Sequence, residues 1–192
     1  MALQNRYSAS SFTAGQFTKI VRDKFSDSDL SFRTHRDYAV DHDMIIVAGS
    51  YDYINDDNDL PPIEIVLCYH PDQQLYTGAT LDWEQISFDI AECIGHEMVH
   101  RDQHRSNARL AKYASCVTDV EKKAEQEYLG SDEELDAYGF SIAVDSYTFN
   151  KEYHTCAMYQ TYANTFDNDH SVLVKLEEQI VKYLIQLTGV QL

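Results

Sequence analysis

Hydrophobic residues in the first third of the chain change from helical spacing to strand spacing. Residues 11–25 carry apolar side chains close to the 3.6-residue period, which predicts a first helix. These side chains are Phe12, Phe17, Ile20, Val21 and Phe25. Runs rich in β-branched and aromatic residues then predict strands at 32–40, 44–53 and 63–69, with a turn at 55–62.

Helical spacing returns after a polar loop at 70–81. Apolar residues recur three and four apart from Trp83 onward, which predicts a long helix from residue 83 to about Arg105. Asp82 followed by Gln85 resembles a capping box, in which the Asp82 side chain would begin this helix.

The C-terminal half of the chain is also predicted to be helical. Two helices are expected at 109–127 and 131–147, and a strong amphipathic stripe at 172–187 ends before Gly189. A stripe of this kind packs into a core more often than it binds a partner. The order of elements predicts an α+β fold with a small, mostly antiparallel sheet packed on the long helix. At 192 residues, one domain spanning 1–192 is expected.

Composition narrows the class of protein. Hydrophobic residues make up 44% of the chain and charged residues 24%, which is ordinary for a globular protein. A formal net charge of −17 repels polyanions, so binding to nucleic acid or to an anionic membrane surface is not expected. No apolar stretch approaches the roughly 20 residues that span a bilayer. The N-terminus lacks the layout of a signal peptide, and the four cysteines are scattered, so a cytoplasmic location with free thiols is predicted.

The pentapeptide from His96 to His100 carries the chemistry. It reads His-Glu-Met-Val-His, an H-E-x-x-H pattern late in the predicted long helix. Residues four apart on a helix lie nearly above one another, so both imidazoles can close on one ion, and Zn²⁺ suits neutral histidine nitrogens. Glu97 would leave the helix on the near side and act as the general base on a water.

A catalytic zinc site needs a third protein ligand. The extended H-E-x-x-H-x-x-G-x-x-H pattern fails, because Gln103 and Ser106 occupy the positions of its glycine and third histidine. His104 follows His96 by eight residues, which is roughly 12 Å along a continuous helix. We therefore expect His104 to make hydrogen bonds or face solvent rather than bind the metal.

The segment from Ser131 to Ala137 is the better source of a third ligand. Glu134 could supply a carboxylate, and small Ala137 one turn later would let two helices pack closely. The alternative is structural: Ser131 and Glu134 also read as a capping box, and acidic residues are favoured in any first helical turn. Glu133 and Asp136 stay open as the other candidate acids.

Together these motifs resemble a known class of hydrolases. Gly-His-Glu-Met-Val-His at 95–100, followed by an E-x-x-A pattern at 134–137, is similar to the zincin metallopeptidases, and distantly to ImmA/IrrE-type peptidases. The H-E-x-x-H-x-x-Q pattern ending at Gln103, with Tyr128-Leu-Gly and then E-x-x-A-Y, resembles metallopeptidases encoded by bacteriophages. The resemblance covers roughly residues 83–145 and implies a zincin-like fold. It also implies a location in the host cytoplasm or the virion.

The resemblance implies that His96, His100 and Glu134 bind zinc and that Glu97 is the general base. The expected function is zinc-dependent hydrolysis of a peptide or protein substrate. The alternative is a non-catalytic, zinc-stabilised virion or assembly protein.

Two further features of a peptidase site are expected. Tyr138, Tyr147 and His154 are candidate donors to the oxyanion that develops on the substrate. In a zincin-like layout, the strand at 63–69 could pair with an extended peptide.

Overall fold

A long helix, α3 (Trp83–Ser106), crosses the boundary between two compact units of the chain, residues 1–97 and 98–192. The structure is a computed structural model, and it describes residues 11–58, 60–77, 81–106, 122–166 and 169–189. The boundary falls between Glu97 and Met98, in the middle of the H-E-x-x-H motif. Each unit has its own apolar core.

In its described residues, the first unit contains two small sheets and two helices before α3. Its elements are β1 (Ser11–Phe12), α1 (Ala14–Lys24), β2 (Leu30–Arg36), β3 (Ile45–Tyr51), α2 (Tyr53–Asp57), β4 (Ile63–Tyr69) and β5 (Tyr76–Thr77). The larger sheet has the order β2-β4-β3, with β2 parallel and β3 antiparallel to β4. The short strands β1 and β5 pair in antiparallel fashion.

Local sequence explains these elements. Thr13 and Gln16 form a reciprocal capping box that begins α1. Strand β4 is rich in β-branched residues and lies between two strands, and its Ile63, Ile65 and Leu67 are almost completely buried. The N-terminal part of α3 joins this core through Trp83, Ile86 and Ile90, which are also buried.

The strand predictions were partly right. The predicted strand at 63–69 has the observed bounds, but β3 ends at Tyr51 because the Asp52 side chain accepts from the backbone N–H of Ile54 and caps α2. The expectation that 63–69 could pair with a peptide was wrong. That strand is hydrogen-bonded to β2 on one side and to β3 on the other, so neither of its edges is open.

The second unit is helical in its described residues. After the end of α3 come α4 (Lys122–Leu129), α5 (Asp132–Phe149), a 3₁₀ turn (Tyr153–Thr155), α6 (Ala157–Thr165) and α7 (His170–Thr188). Leu135 and Ile142 of α5 and Leu176 and Ile180 of α7 are fully buried in one cluster. Helices α5 and α7 cross so closely that a Cβ added at Gly139 would lie 2.5 Å from Cβ of Gln179.

The helical predictions agree with these bounds where they can be compared. The α+β class is confirmed, as are helices over most of 131–147 and 172–187. Helix α6 was not predicted. The predicted helix at 109–127 is confirmed only from Lys122, and its earlier part lies outside the described residues. Among the described helices, none has a long enough apolar run to cross a bilayer.

Candidate metal centre

The H-E-x-x-H motif lies in the second half of a continuous helix. Asp82 begins α3, since its carboxylate accepts a hydrogen bond of 3.0 Å from the backbone N–H of Gln85. The helix then runs without interruption to Ser106. His96 and His100 are therefore one turn apart on the same face.

The carboxylate of Glu134 completes a group with these two histidines. One ligand atom from each of His96, His100 and Glu134 lies within 4.8 Å of the others. The two imidazoles are half-buried, and Glu134 is only 6% exposed. Two nitrogens and one carboxylate oxygen at this spacing could hold a metal ion.

The N-terminus of α5 positions Glu134. The Ser131 hydroxyl oxygen accepts from the backbone N–H of Glu134 at 3.3 Å and so caps the helix. The backbone N–H of Ser131 donates to the carbonyl of Tyr128 at 3.0 Å, so the Glu134 side chain is not needed for the reciprocal half of a capping box. Its Oε1 instead lies 3.5 Å from Nε2 of His100.

The surroundings of Glu134 favour a cation. Burial raises the pKa of its carboxyl group, and the neighbouring His100 and a hydrogen bond from the Tyr128 side chain only partly oppose this rise. A positive ion held by the same three side chains would stabilise the charged carboxylate and remove that penalty.

The ring of His100 is held on its other side by Gln103. Nδ1 of His100 donates to Oε1 of Gln103 at 3.0 Å. A neutral imidazole with its proton on Nδ1 has its lone pair on Nε2, the nitrogen that faces Glu134. This is the form of histidine that binds a metal through Nε2.

Glu97 is buried against strand β3 of the first unit. It is 7% exposed, although it carries a carboxylate. A Cβ added at Gly49 would lie 3.0 Å from Oε1 of Glu97, 3.1 Å from its Cγ and 2.5 Å from Sγ of Cys93. The bare backbone of Gly49 therefore makes room for both side chains. Burial, and then the charge of Glu97, raises the pKa of Cys93 to about 12, so this thiol stays protonated at neutral pH.

The other acids and the third histidine have different places. Asp136 accepts hydrogen bonds from Lys182 and Tyr183, and the main-chain carbonyl of Glu133 accepts from the Gln103 amide. His104 lies two turns beyond His96 on an unbroken helix and is not in the ligand group, as expected. Of the three candidate acids, Glu134 is the one that the structure brings to the histidines.

The three candidate oxyanion donors are spread over the second unit. Tyr138 is one turn after Glu134 on α5, and its ring packs edge-on against Tyr162 with centroids 5.5 Å apart. Tyr147 is exposed and lies roughly 20 Å beyond Glu134 along the helix axis. His154 packs against Tyr153 and Tyr159 and lies 3.6 Å from Glu177. Their role in catalysis stays a prediction.

Three residues near the ligands were missed by sequence reasoning. In the sequence, Gln103 stands where the extended zinc motif requires glycine, and it is the glutamine of the pattern shared with phage metallopeptidases. Neither pattern predicts a contact with His100, although a position three residues after His100 places Gln103 on the same helix face. Gly49, inside a strand, is the kind of glycine that marks a close approach. Nothing local pointed to Tyr128 as a partner of Glu134.

No family model matches the chain, and no curated protein or solved structure matches it significantly. A function must therefore be argued from the donor groups and from the side chains that surround them. The group at His96, His100 and Glu134 is the part of the described structure with the most specific chemistry.

Proposed function

We propose that this protein is a zinc-dependent hydrolase of peptide bonds. The observation that carries the proposal is the convergence of His96, His100 and Glu134 within 4.8 Å, with the buried carboxylate of Glu97 next to the first histidine on the same helix. Two histidines and a glutamate are a known ligand set of catalytic zinc sites, and a glutamate beside them is the expected general base.

The chemistry of the donors fits zinc. Imidazole nitrogens suit a borderline-soft ion, and the hydrogen bond from Nδ1 of His100 to Gln103 leaves Nε2 to bind it. Within the described residues, the group contains three ligands. Three protein ligands leave one coordination position for water or substrate, whereas structural zinc sites are usually closed by four.

In this proposal, Glu97 is the general base that transfers the proton. Zn²⁺ at this site would lower the pKa of a water and polarise the scissile carbonyl. Glu97 would take the proton from the attacking water and pass it to the leaving amine. The packing of Glu97 beside Gly49 restricts where its carboxylate can lie, which supports a positioned base rather than a mobile surface charge.

An extended peptide substrate would bind beside β3. In the described sheet, β3 is an edge strand, and its Gly49 contacts the part of α3 that carries Glu97. A peptide added to the edge of β3 would form main-chain hydrogen bonds and lie alongside the general base. This proposal gives β3 the role that the sequence had suggested for the strand at 63–69.

The test combines metal analysis with Glu97→Gln. Wild-type protein and the variant should each bind one zinc per chain, and the variant should cleave a library of internally quenched peptides at least about 100-fold more slowly. Glu84→Gln is the matched control, because Glu84 is an exposed glutamate in the first turn of the same helix. Full activity in Glu97→Gln, or a wild-type protein that binds no zinc, would reject the proposal.

X-ray absorption at the zinc edge separates this function from the non-catalytic, zinc-stabilised alternative. The hydrolase requires nitrogen and oxygen ligands at about 2.0–2.2 Å, including one solvent oxygen. A sulfur ligand at about 2.3 Å would indicate a closed structural site.

A further inference from the structure

The side-chain amide of Gln103 makes three hydrogen bonds, and two of them connect α3 to α5. Its Oε1 accepts from Nδ1 of His100 at 3.0 Å. Its Nε2 donates to the main-chain carbonyl of Glu133 at 3.1 Å and to Oδ2 of Asp136 at 3.3 Å. The neutral side chain of Gln103 therefore contacts both a histidine of the ligand group and the first turn of α5, which carries Glu134.

The partners of this amide fix which way it faces. The carbonyl of Glu133 can only accept a hydrogen bond, and the same is true of an ionised Asp136. Asp136 already accepts two hydrogen bonds at Oδ1, from Nζ of Lys182 at 2.5 Å and from the hydroxyl of Tyr183 at 3.0 Å. Two acceptors beside one end of the amide require its NH₂ group there, so its oxygen must face His100.

We propose that Gln103 is a positioning residue that holds His100 in the Nδ1–H tautomer and so directs the lone pair of Nε2 toward the metal. The inference rests on the proposed metal site, and it adds a role for residues outside the ligand group. Helix α7 also helps to position Gln103. Its Lys182 and Tyr183 donate to Asp136, and Asp136 accepts a hydrogen bond from the amide of Gln103.

Glutamine has a property here that close substitutes lack. It accepts a hydrogen bond at one end and donates two at the other, as the three contacts require. A glutamate at this position could accept from His100, but it would meet the Asp136 carboxylate and the Glu133 carbonyl with no proton to donate. Residues that orient ligating histidines in this way typically change metal affinity by about 10- to 100-fold when they are replaced.

The experiment compares Gln103→Met with Gln126→Met. Methionine keeps the length of the side chain and removes both hydrogen-bonding ends. Gln126 is the matched control, because it is also partly buried and its Nε2 donates to the main-chain carbonyl of Thr165 at 2.8 Å in the same unit. Long-range ¹H–¹⁵N correlation spectra of metal-free protein at about pH 8, where ordinary histidines are neutral, report each tautomer directly. Competition with a chromophoric chelator gives the zinc affinity.

In wild-type protein, His100 should be protonated on Nδ1, and Gln103→Met should show a mixture of tautomers. The same variant should bind zinc about 10- to 100-fold more weakly. Gln126→Met should leave the His100 tautomer and the zinc affinity unchanged, even if it unfolds at a lower temperature. If Gln103 only stabilised the fold, as Gln126 does, both variants would unfold at a lower temperature and the tautomer of His100 would not change.

The inference is overturned if His100 keeps its tautomer in Gln103→Met and zinc affinity stays within twofold of wild type. Its failure is distinguishable from failure of the proposed function. A wild-type protein that binds no zinc, but in which Gln103→Met still changes the tautomer of His100, would reject the hydrolase and support the role of Gln103.

Discussion

Gly49 of β3 lies directly against Glu97 of α3, at a distance that leaves no room for a methyl group. An added Cβ would stand 3.0 Å from the carboxylate oxygen Oε1, which is tighter than ordinary van der Waals contact. A residue about 50 positions earlier in the chain thus restricts where the proposed general base can lie. This restriction is steric, so it can be tested by adding one carbon atom.

Gly49→Ala should impair hydrolysis more than it impairs zinc binding. The new methyl group would push the side chains of Glu97 and Cys93 away from β3, and displacement of a catalytic base by about 1 Å can cost about 100-fold in rate. The three atoms nearest to the added Cβ belong to Cys93 and Glu97 rather than to the histidines, so zinc affinity should stay within a few fold. Peptidase rate and zinc affinity, measured on the same preparation, check this.

Two further variants test whether the contact with Glu97, rather than the contact with Cys93 or any change in β3, explains the effect of Gly49→Ala. Ala48→Ser alters the neighbouring exposed residue on the opposite face of β3 and should have no effect. The double variant Gly49→Ala/Cys93→Ala removes the clash with sulfur but keeps the contact with Glu97. Any loss of folding caused by the clash with sulfur should therefore be reversed, while hydrolysis stays slow. If the double variant regains full activity, Cys93 rather than Glu97 is the residue that Gly49 accommodates.

The stability of metal-free protein should depend on pH through Glu134. Burial raises its pKa above the ordinary value of 4.5, so the folded state binds a proton that the unfolded chain has already lost. Stability conferred by the protonated carboxyl is present below pH 4.5 and decreases as the pH rises through the raised pKa. In chelator at neutral pH, Glu134→Gln should therefore melt at a higher temperature than wild type.

Zinc should reverse that order. At 100 times its dissociation constant, a ligand that binds only the folded state stabilises it by about 2.7 kcal/mol, which corresponds to roughly 5–10 °C for a chain of this size. The wild-type protein should gain this stabilisation from zinc, and Glu134→Gln should not. Thermal melts from pH 4 to pH 8, with chelator or with zinc, measure both effects, and Glu133→Gln serves as the control. Parallel pH profiles for wild type and Glu134→Gln in chelator would contradict the prediction.

Gly139→Ala should destabilise the second unit. The added Cβ would meet Cβ of Gln179 at 2.5 Å and the backbone of Gln179 and Ile180 at 3.2 and 3.3 Å, and backbone atoms cannot rotate away. Overpacking of this kind costs about 1–3 kcal/mol. Urea unfolding should show that loss. Gly15→Ala is the control, because its Cβ would meet only the Thr13 hydroxyl oxygen at 4.0 Å, and alanine is favoured in a helix. Equal stability of the two variants would rule out a close α5–α7 crossing.

Local periodicity was enough to predict much of the fold. The bounds of β4, the buried stripe around Leu176 and Ile180, and the pairing of His96 with His100 all follow from spacing within one element. The capping roles of Asp82 and Ser131 also follow, because each involves a hydrogen bond between residues three positions apart. These features depend on side-chain period and short-range contacts, which a sequence states directly.

The sequence favoured Glu134 as the third ligand, but spacing within one element could not exclude the alternatives. Glu133, Glu134 and Asp136 lie within one turn of α5, and Ser131 left a capping role for Glu134 open. The choice depends on how α5 is rotated about its axis when Leu135 and Ala137 become buried. That rotation directs Glu134 toward His100 and leaves Asp136 to Lys182 and Tyr183.

By itself, the sequence determined the helix with its two histidines, the glutamate between them and the α+β class. Only the tertiary structure decided that β4 is central rather than an open edge, that Gly49 packs against Glu97, and that the amide of Gln103 donates to Glu133 and Asp136. The physical reason is one of distance along the chain. Hydrogen bonds and steric contacts between residues 12 or more positions apart depend on how whole elements pack, and no local pattern of side chains records that packing.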